Sequence, residues 1–209
     1  MDALIEAAMT LRALPPSCGP VRLVAVDGHA GSGKTTLAAR LAAALGGAPV
    51  LRLDDLASHD AFFDWTDRLT DGVLEPLARG AGARYAPYDW TLRRFHAPRP
   101  VPPAPVVLIE GVGAGRAAVR PWLARLLWME RSAEESWRRG RARDGAGLSA
   151  FWDTWTEAET RHFAADPSRP FADVLVREWQ RGYLWEPGSA ATAPADRPVT
   201  YGDGMPTPY

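Results

Sequence analysis

The chain has 209 residues, a formal net charge of −1 and a sequence pI near 6.4, which fits one α/β domain with short additions and gives no electrostatic case for a nucleic-acid or membrane partner. A single cysteine, Cys18, excludes an internal disulfide framework and suits a reducing compartment. No uncharged apolar run approaches the ~20 residues of a membrane span and no secretory start is visible, so the expected location is cytoplasmic.

In chain order, Leu4, Ile5, Ala8 and Leu11 share a helical face in residues 2–14, and Pro15-Pro16 stop that helix. The β-branched run from Val21 to Val26 breaks at Asp27-Gly28. Four residues separate Gly28 from Gly33-Lys34-Thr35, and a helical pattern then runs from Thr36 to Leu45. Strand, loop and helix in this spacing are the context for the G-x-x-x-x-G-K-[ST], or Walker A, pattern. Glycines at 28, 31 and 33 allow successive N–H groups to turn inward on a phosphate, and the helix adds its positive end. The expected nucleotide-binding set is Gly28, His29, Ala30, Gly31, Ser32, Gly33, Lys34, Thr35 and Thr36. Lys34 reaches the β- and γ-phosphates and the Thr35 hydroxyl faces Mg²⁺. Lys34 is the only lysine in the chain, where a compact ammonium serves better than a planar fork. His29 is expected to matter through its backbone more than its imidazole. The glycine order is not that of a dinucleotide site, so the loop points to ATP or GTP.

Residues 49–53 read as a second strand that delivers Asp54-Asp55 at its C-terminal end, the edge where open α/β sheets bind ligands. Residues 60–80 have a helical pattern. Tyr85 to His96 is aromatic and basic, and Pro98 to Pro105 reads as a stiff connector. Val106 to Ile109 is a strand without alternation, as parallel strands usually are. It ends in Glu110, and Gly111 to Gly115 reads as a mobile turn. Leu126 to Met129 is a fourth strand. A capping box at Ser132 to Glu135 opens a helix bearing Arg138, Arg139, Arg141 and Arg143. Residues 148–165 are helical, with Phe151, Trp152, Trp155 and Ala158 on one face, and 172–176 is a fifth strand. The chain divides into an N-terminal helix and linker (1–20), a domain (21–185, with a lid at about 132–147) and a Pro/Gly/Ala-rich tail (186–209). Five β units alternating with helices imply a parallel sheet covered on both faces.

Phosphoryl transfer needs alignment, charge compensation and a destination for the acceptor proton. Asp54 is the candidate base, with one of the two adjacent aspartates equally able to cap the next helix. Glu110 ends its strand where an acid holds Mg²⁺ together with Thr35. Arg139 and Arg143, four apart on one helical face, can close on a triphosphate. Trp152 and Trp155 read either as core or as an aromatic wall for a planar group. His59, His96 and His162 lack metal-ligand spacing, so no zinc site is expected.

These motifs together resemble the uridine kinase-like branch of the P-loop kinases, which includes uridine–cytidine kinases, phosphoribulokinase, pantothenate kinase and nicotinamide riboside kinase. Residues 26–36 are similar to the family's phosphate loop, and Leu53 to Leu56 to the acidic turn whose first Asp is the base. Pro87-Tyr88-Asp89-Trp90 is similar to the stretch bordering the nucleoside, and residues 108–111 to the magnesium-side strand end. Arg139 and Arg143-Asp144 resemble the lid motif, and Phe63-Asp64 a Phe-Asp whose carboxylate holds sugar hydroxyls.

The resemblance implies an α/β P-loop NTPase fold: a five-stranded parallel sheet in the order 2-3-1-4-5, helices on both faces and an Arg-bearing helical lid. It implies ATP as donor, Mg²⁺, and catalytic roles for Asp54, Lys34 and Arg143. Asp55, Asp64, Tyr88, Asp89 and Arg93 fall on the acceptor side. Three departures stand out. Arg93 replaces a base-contacting histidine, Ala57-Ser58 replace aromatic residues after the acidic turn, and Gly140 occupies a slot of the paired lid arginines. The expected reaction is transfer of the γ-phosphoryl group to a hydroxyl of a small metabolite, a nucleoside first. A sugar, vitamin precursor or antibiotic acceptor stays open, as does a non-kinase ATP-binding switch. The oligomeric state is open too, with a homodimer as one arrangement.

Overall fold

The computed structural model describes residues 3–180 and 182–192. The apolar run after the linker forms β1 (Arg22–Asp27), buried from Leu23 onward. Burial without alternation requires cover on both faces, and β1 is central in the sheet. Parallel strands flank it: β2 (Val50–Arg52), β3 (Val106–Glu110), β4 (Leu123–Met129) and β5 (Val174–Trp179). A further strand, β6 (Gly182–Pro187), pairs antiparallel with β5.

The sheet therefore has six strands, in the order β2-β3-β1-β4-β5-β6, rather than the five expected. The five parallel strands keep the expected order. The sixth escaped notice because glycine and proline bound it, although Tyr183 is buried on the face that carries the glycine-loop helix. It takes in Glu186 and Pro187, which the expected tail boundary had left outside the domain. A 3₁₀ turn, Ser189–Thr192, follows, with Ala190 N–H donating to the Ala172 carbonyl at 3.1 Å.

Helices α1 (Ala3–Ala13) and α2 (Lys34–Ala44) cover one face, where Leu37 and Leu41 pack on Val24, Val26 and Leu108. The other face receives α3, residues 66–78, an α-helix interrupted by a π-helical turn at Thr70–Leu74. Its Leu69 and Leu74 pack with Trp65 against Leu23, Ala25 and Ile109. Each such buried leucine contributes about 1.5–3 kcal/mol relative to exposure. Helices α4 (Ala133–Asp144) and α5 (Ser149–Ala165) rise above the C-terminal edge of the sheet. The Ser132 hydroxyl accepts the Glu135 N–H at 3.2 Å and starts α4 as expected.

Two expectations are corrected. The turn from Gly111 to Gly115 is pinned, not loose. The fully buried Asp27 carboxylate accepts N–H bonds from Gly113 at 2.9 Å and Gly115 at 2.8 Å, besides Gly28 at 2.7 Å. The proline-rich stretch is not a free connector, because Arg99–Val101 pairs antiparallel with Ala83–Tyr85. Proline is tolerated on such edges. Tyr88–Asp89 with Arg94–Phe95 extends this arm into a hairpin. Among the described residues no helix is long and apolar enough to cross a membrane.

Candidate active site

β1 delivers the glycine loop, residues 28–33, to the sheet edge, and α2 begins at Lys34. Gly28, Gly31 and Gly33 take φ of +144°, +86° and +107°, a region that side chains disfavour. At Gly31 space is lacking as well: a Cβ would lie 2.1 Å from the Ser136 carbonyl oxygen and 3.0 Å from Gly140 N. The loop is thus pressed against α4. No side chain caps α2, so its first N–H groups are available to an anion. The Lys34 ammonium, only 7% exposed, spans the loop by donating to the carbonyls of Gly28 and His29, each at 2.9 Å.

A cleft of about 470 Å³ opens beside the loop at the C-terminal ends of β1, β2 and β3, within the usual range for small-ligand sites. Lys34, Thr35, Asp54 and Glu110 line one end, and Trp90, Phe151, Trp152 and Trp155 line the other. A second recess of about 310 Å³ lies between the loop and α4, where Gly33, Thr36 and Arg139 face it. Gly31, Lys34, Thr35 and Arg143 line both spaces.

Asp54 follows β2 in a 3₁₀ turn. The residue is exposed and lines the cleft, where the surrounding protein displaces part of the water around its carboxylate. That desolvation pushes its pKa up, against the attraction of Lys34 and Arg52, with Asp55 adding repulsion and Arg143 opposing. Glu110 is 2% exposed, accepts the Thr35 hydroxyl at 3.1 Å and lies 3.4 Å from Arg52 Nε. Burial raises its pKa; Lys34 opposes this and the Asp54 charge adds to it.

Among the described residues no group of three or more His, Cys, Asp or Glu forms a metal cage. Mg²⁺ at a phosphate site uses only one or two protein oxygens and completes its shell with water and phosphate. The touching hydroxyl and carboxylate of Thr35 and Glu110 fit that requirement.

Arg139 and Arg143 of α4 are held by carboxylates. Arg139 Nη1 donates to Glu178 Oε2 at 2.9 Å, and Arg143 makes a two-pronged bond to Asp144 at 2.6 and 2.9 Å. Gly140 fills an arginine slot for a steric reason: a Cβ there would lie 2.2 Å from the Trp152 ring.

The five expected acceptor-side residues do not line the cleft. Asp55 pairs with Arg99 and accepts from the Tyr85 hydroxyl at 3.3 Å. Asp64 is exposed ahead of α3. Asp89 caps the hairpin tip, accepting from Thr91 N at 2.9 Å and Leu92 N at 2.7 Å, and Arg93 at that tip is exposed with φ of +51°. Tyr88 is buried, and its hydroxyl meets Nδ1 of His59, a cleft residue, at 3.0 Å.

Arg52 and His59 were given no acceptor role by sequence reasoning and line the cleft. Trp90, the last residue of the stretch expected to border the nucleoside, lines it too and donates from Nε1 to the Asp54 carbonyl at 3.1 Å. Trp152 and Trp155 satisfy both earlier readings, being 3% and 7% exposed yet forming the cleft wall. The His29 imidazole, expected to matter less than the backbone, bonds through Nδ1 to Glu159 Oε1 at 2.7 Å.

The strand order, the glycine loop and the helices over the sheet edge make an α/β fold around a mostly parallel sheet. No family model and no curated protein matches the chain. Solved structures do. One, described as a possible uridine kinase from Bacillus stearothermophilus, is 20% identical with a TM-score of 0.61, covering 82% of this chain and 96% of that one. A candidate fructose transport system kinase from Silicibacter sp. is also 20% identical, with a TM-score of 0.58 and coverage of 78% and 89%. The D-glycerate 3-kinase of Cryptococcus neoformans is 13% identical, with a TM-score of 0.51 and coverage of 88% and 96%. At these identities the shared property is the fold.

Proposed function

We propose that the protein is an ATP- and Mg²⁺-dependent phosphotransferase that moves the γ-phosphoryl group to a hydroxyl of a small metabolite, with a nucleoside as the first candidate. The observation that carries this reading is the meeting of two recesses at Gly31, Lys34, Thr35 and Arg143. A donor in the α4 recess and an acceptor in the aromatic cleft then face each other across Lys34, the alignment that phosphoryl transfer needs.

Loop amides from Gly28 to Thr36 grip the triphosphate, and Lys34, Arg139 and Arg143 compensate its charge. Thr35 and Glu110 would hold Mg²⁺, which when bound would offset charge on the phosphate oxygens. Asp54 orients the acceptor hydroxyl and takes its proton. The neighbours described as a possible uridine kinase, a fructose transport system kinase and a D-glycerate 3-kinase support a small acceptor. The ring wall of Trp90, Phe151, Trp152 and Trp155 favours an acceptor with a planar group. A second reading, a hydroxy acid, is favoured by Arg52, half-exposed at the cleft with only Nε near a carboxylate.

The test is ADP release from ATP and Mg²⁺ with pooled nucleosides, sugars or hydroxy acids. Release stimulated by the nucleoside pool is expected. Stimulation by hydroxy acids alone selects the second reading, and release indifferent to every acceptor favours a nucleotide switch.

A further inference from the structure

Phosphoryl transfer as proposed gives no role to the buried Glu159. Glu159 on α5 is fully buried, and its carboxylate meets four hydrogen-bond partners. Oε1 meets His29 Nδ1 at 2.7 Å and accepts from Trp137 Nε1 at 3.0 Å. Oε2 accepts from Trp155 Nε1 at 2.8 Å and from the Ala30 backbone N–H at 3.1 Å. An ionised carboxylate offers about four acceptor positions, so the group is saturated. Burial raises its pKa, but the bonds from His29 and Trp155 and the charges of Lys34 and His29 outweigh that, and the group is held below the usual range.

The donors come from three parts of the site: His29 and Ala30 from the glycine loop, Trp137 from α4, and Trp155 from the ring wall of the cleft. A carboxylate is a costly filler, because taking it out of water costs several kcal/mol and an apolar side chain of similar size packs without that penalty. An apolar side chain cannot hold the Ala30 N–H or join three segments through one group.

We infer that Glu159 is a positioning residue that sets the 29–31 stretch of the glycine loop and makes nucleotide affinity depend on Trp155 in the acceptor wall. The inference rests on the proposed grip of this loop on a triphosphate.

Calorimetric titration of the full chain with Mg-ATP tests this in the wild type, Glu159→Gln, Trp155→Phe and the double variant, with melting temperatures alongside. Gln keeps the size but presents N–H groups where only donors point, so Glu159→Gln is expected to weaken Mg-ATP binding about tenfold. Trp155→Phe keeps a ring in the wall and removes one donor. It is expected to weaken binding about threefold, and to add nothing in the Glu159→Gln background. A packing role would leave Trp155→Phe without effect on ATP.

If Glu159→Gln does not fold, Trp155→Phe and Trp137→Phe carry the test. Wild-type binding with variants inside twofold of it overturns the positioning role alone, as do effects of the two substitutions that multiply independently. A wild type that binds no Mg-ATP overturns the proposed loop function, and the positioning role with it.

Discussion

Asp54 faces the cleft between the cations Lys34, Arg52 and Arg143, with Asp55 as its like-charged neighbour. Its folded pKa is raised, so ionisation is disfavoured in the native state and the ionised side chain costs stability at neutral pH. Asp54→Asn removes both the base and that cost. Turnover is expected to fall by about 10²–10⁴, while Mg-ATP binding stays within twofold and the melting temperature holds or rises; retained turnover removes the assigned base. The same raised pKa predicts a pH profile. A base must be ionised, so kcat/KM is lost as pH falls through the folded pKa, and the acid limb lies above the ordinary carboxylate range. Because Glu110 is raised as well and feels the Asp54 charge, the limb belongs to the pair. A limb at or below the ordinary range shows that neither carboxylate limits the rate.

Helix α4 is the element on which donor and acceptor spaces depend. It presses on Gly31 through Ser136 and on Trp152 through Gly140, with room for no Cβ at either contact. Gly140→Ala is expected to push the Trp152 ring into the cleft, raising the acceptor KM about tenfold and costing about 1–3 kcal/mol in a melting experiment. An unchanged acceptor KM detaches the ring wall from substrate binding. Glu178 near the end of β5 engages Arg139, which lines the donor recess, and so competes with a phosphate for that guanidinium. Glu178→Gln is expected to lower the KM for ATP by about twofold to fivefold, since a half-exposed pair is worth about 0.2–1 kcal/mol. The loop and its strand were legible in the sequence because glycines, lysine and threonine act there through local backbone geometry. Asp55 and Asp89 went elsewhere because the hairpin arm, a matter of pairing between residues 83–101, consumes their polar groups, while the buried Tyr88 turns its hydroxyl to His59. Glu159 carried no sequence signal because its partners lie 22 to 130 residues away apart from Trp155.

Across the whole molecule, the sheet gathers Lys34, Asp54 and Glu110 at one edge. The Lys34 ammonium opposes the raised pKa of both carboxylates and ties the loop carbonyls together. Binding at such a site must appear in global stability, because a ligand that binds only the folded state adds RT ln(1 + [L]/Kd). Mg-ATP at a hundredfold excess over Kd is expected to add about 2.7 kcal/mol, which for a chain of this size raises the melting temperature by roughly 5–10 °C. Lys34→Ala is expected to abolish that shift and Asp54→Asn to retain it, since Lys34 lines both recesses and Asp54 only the acceptor cleft. A differential scanning melt with and without Mg-ATP checks all three proteins. If Asp54→Asn loses the shift while Lys34→Ala keeps it, the donor and acceptor sides of the cleft are reversed.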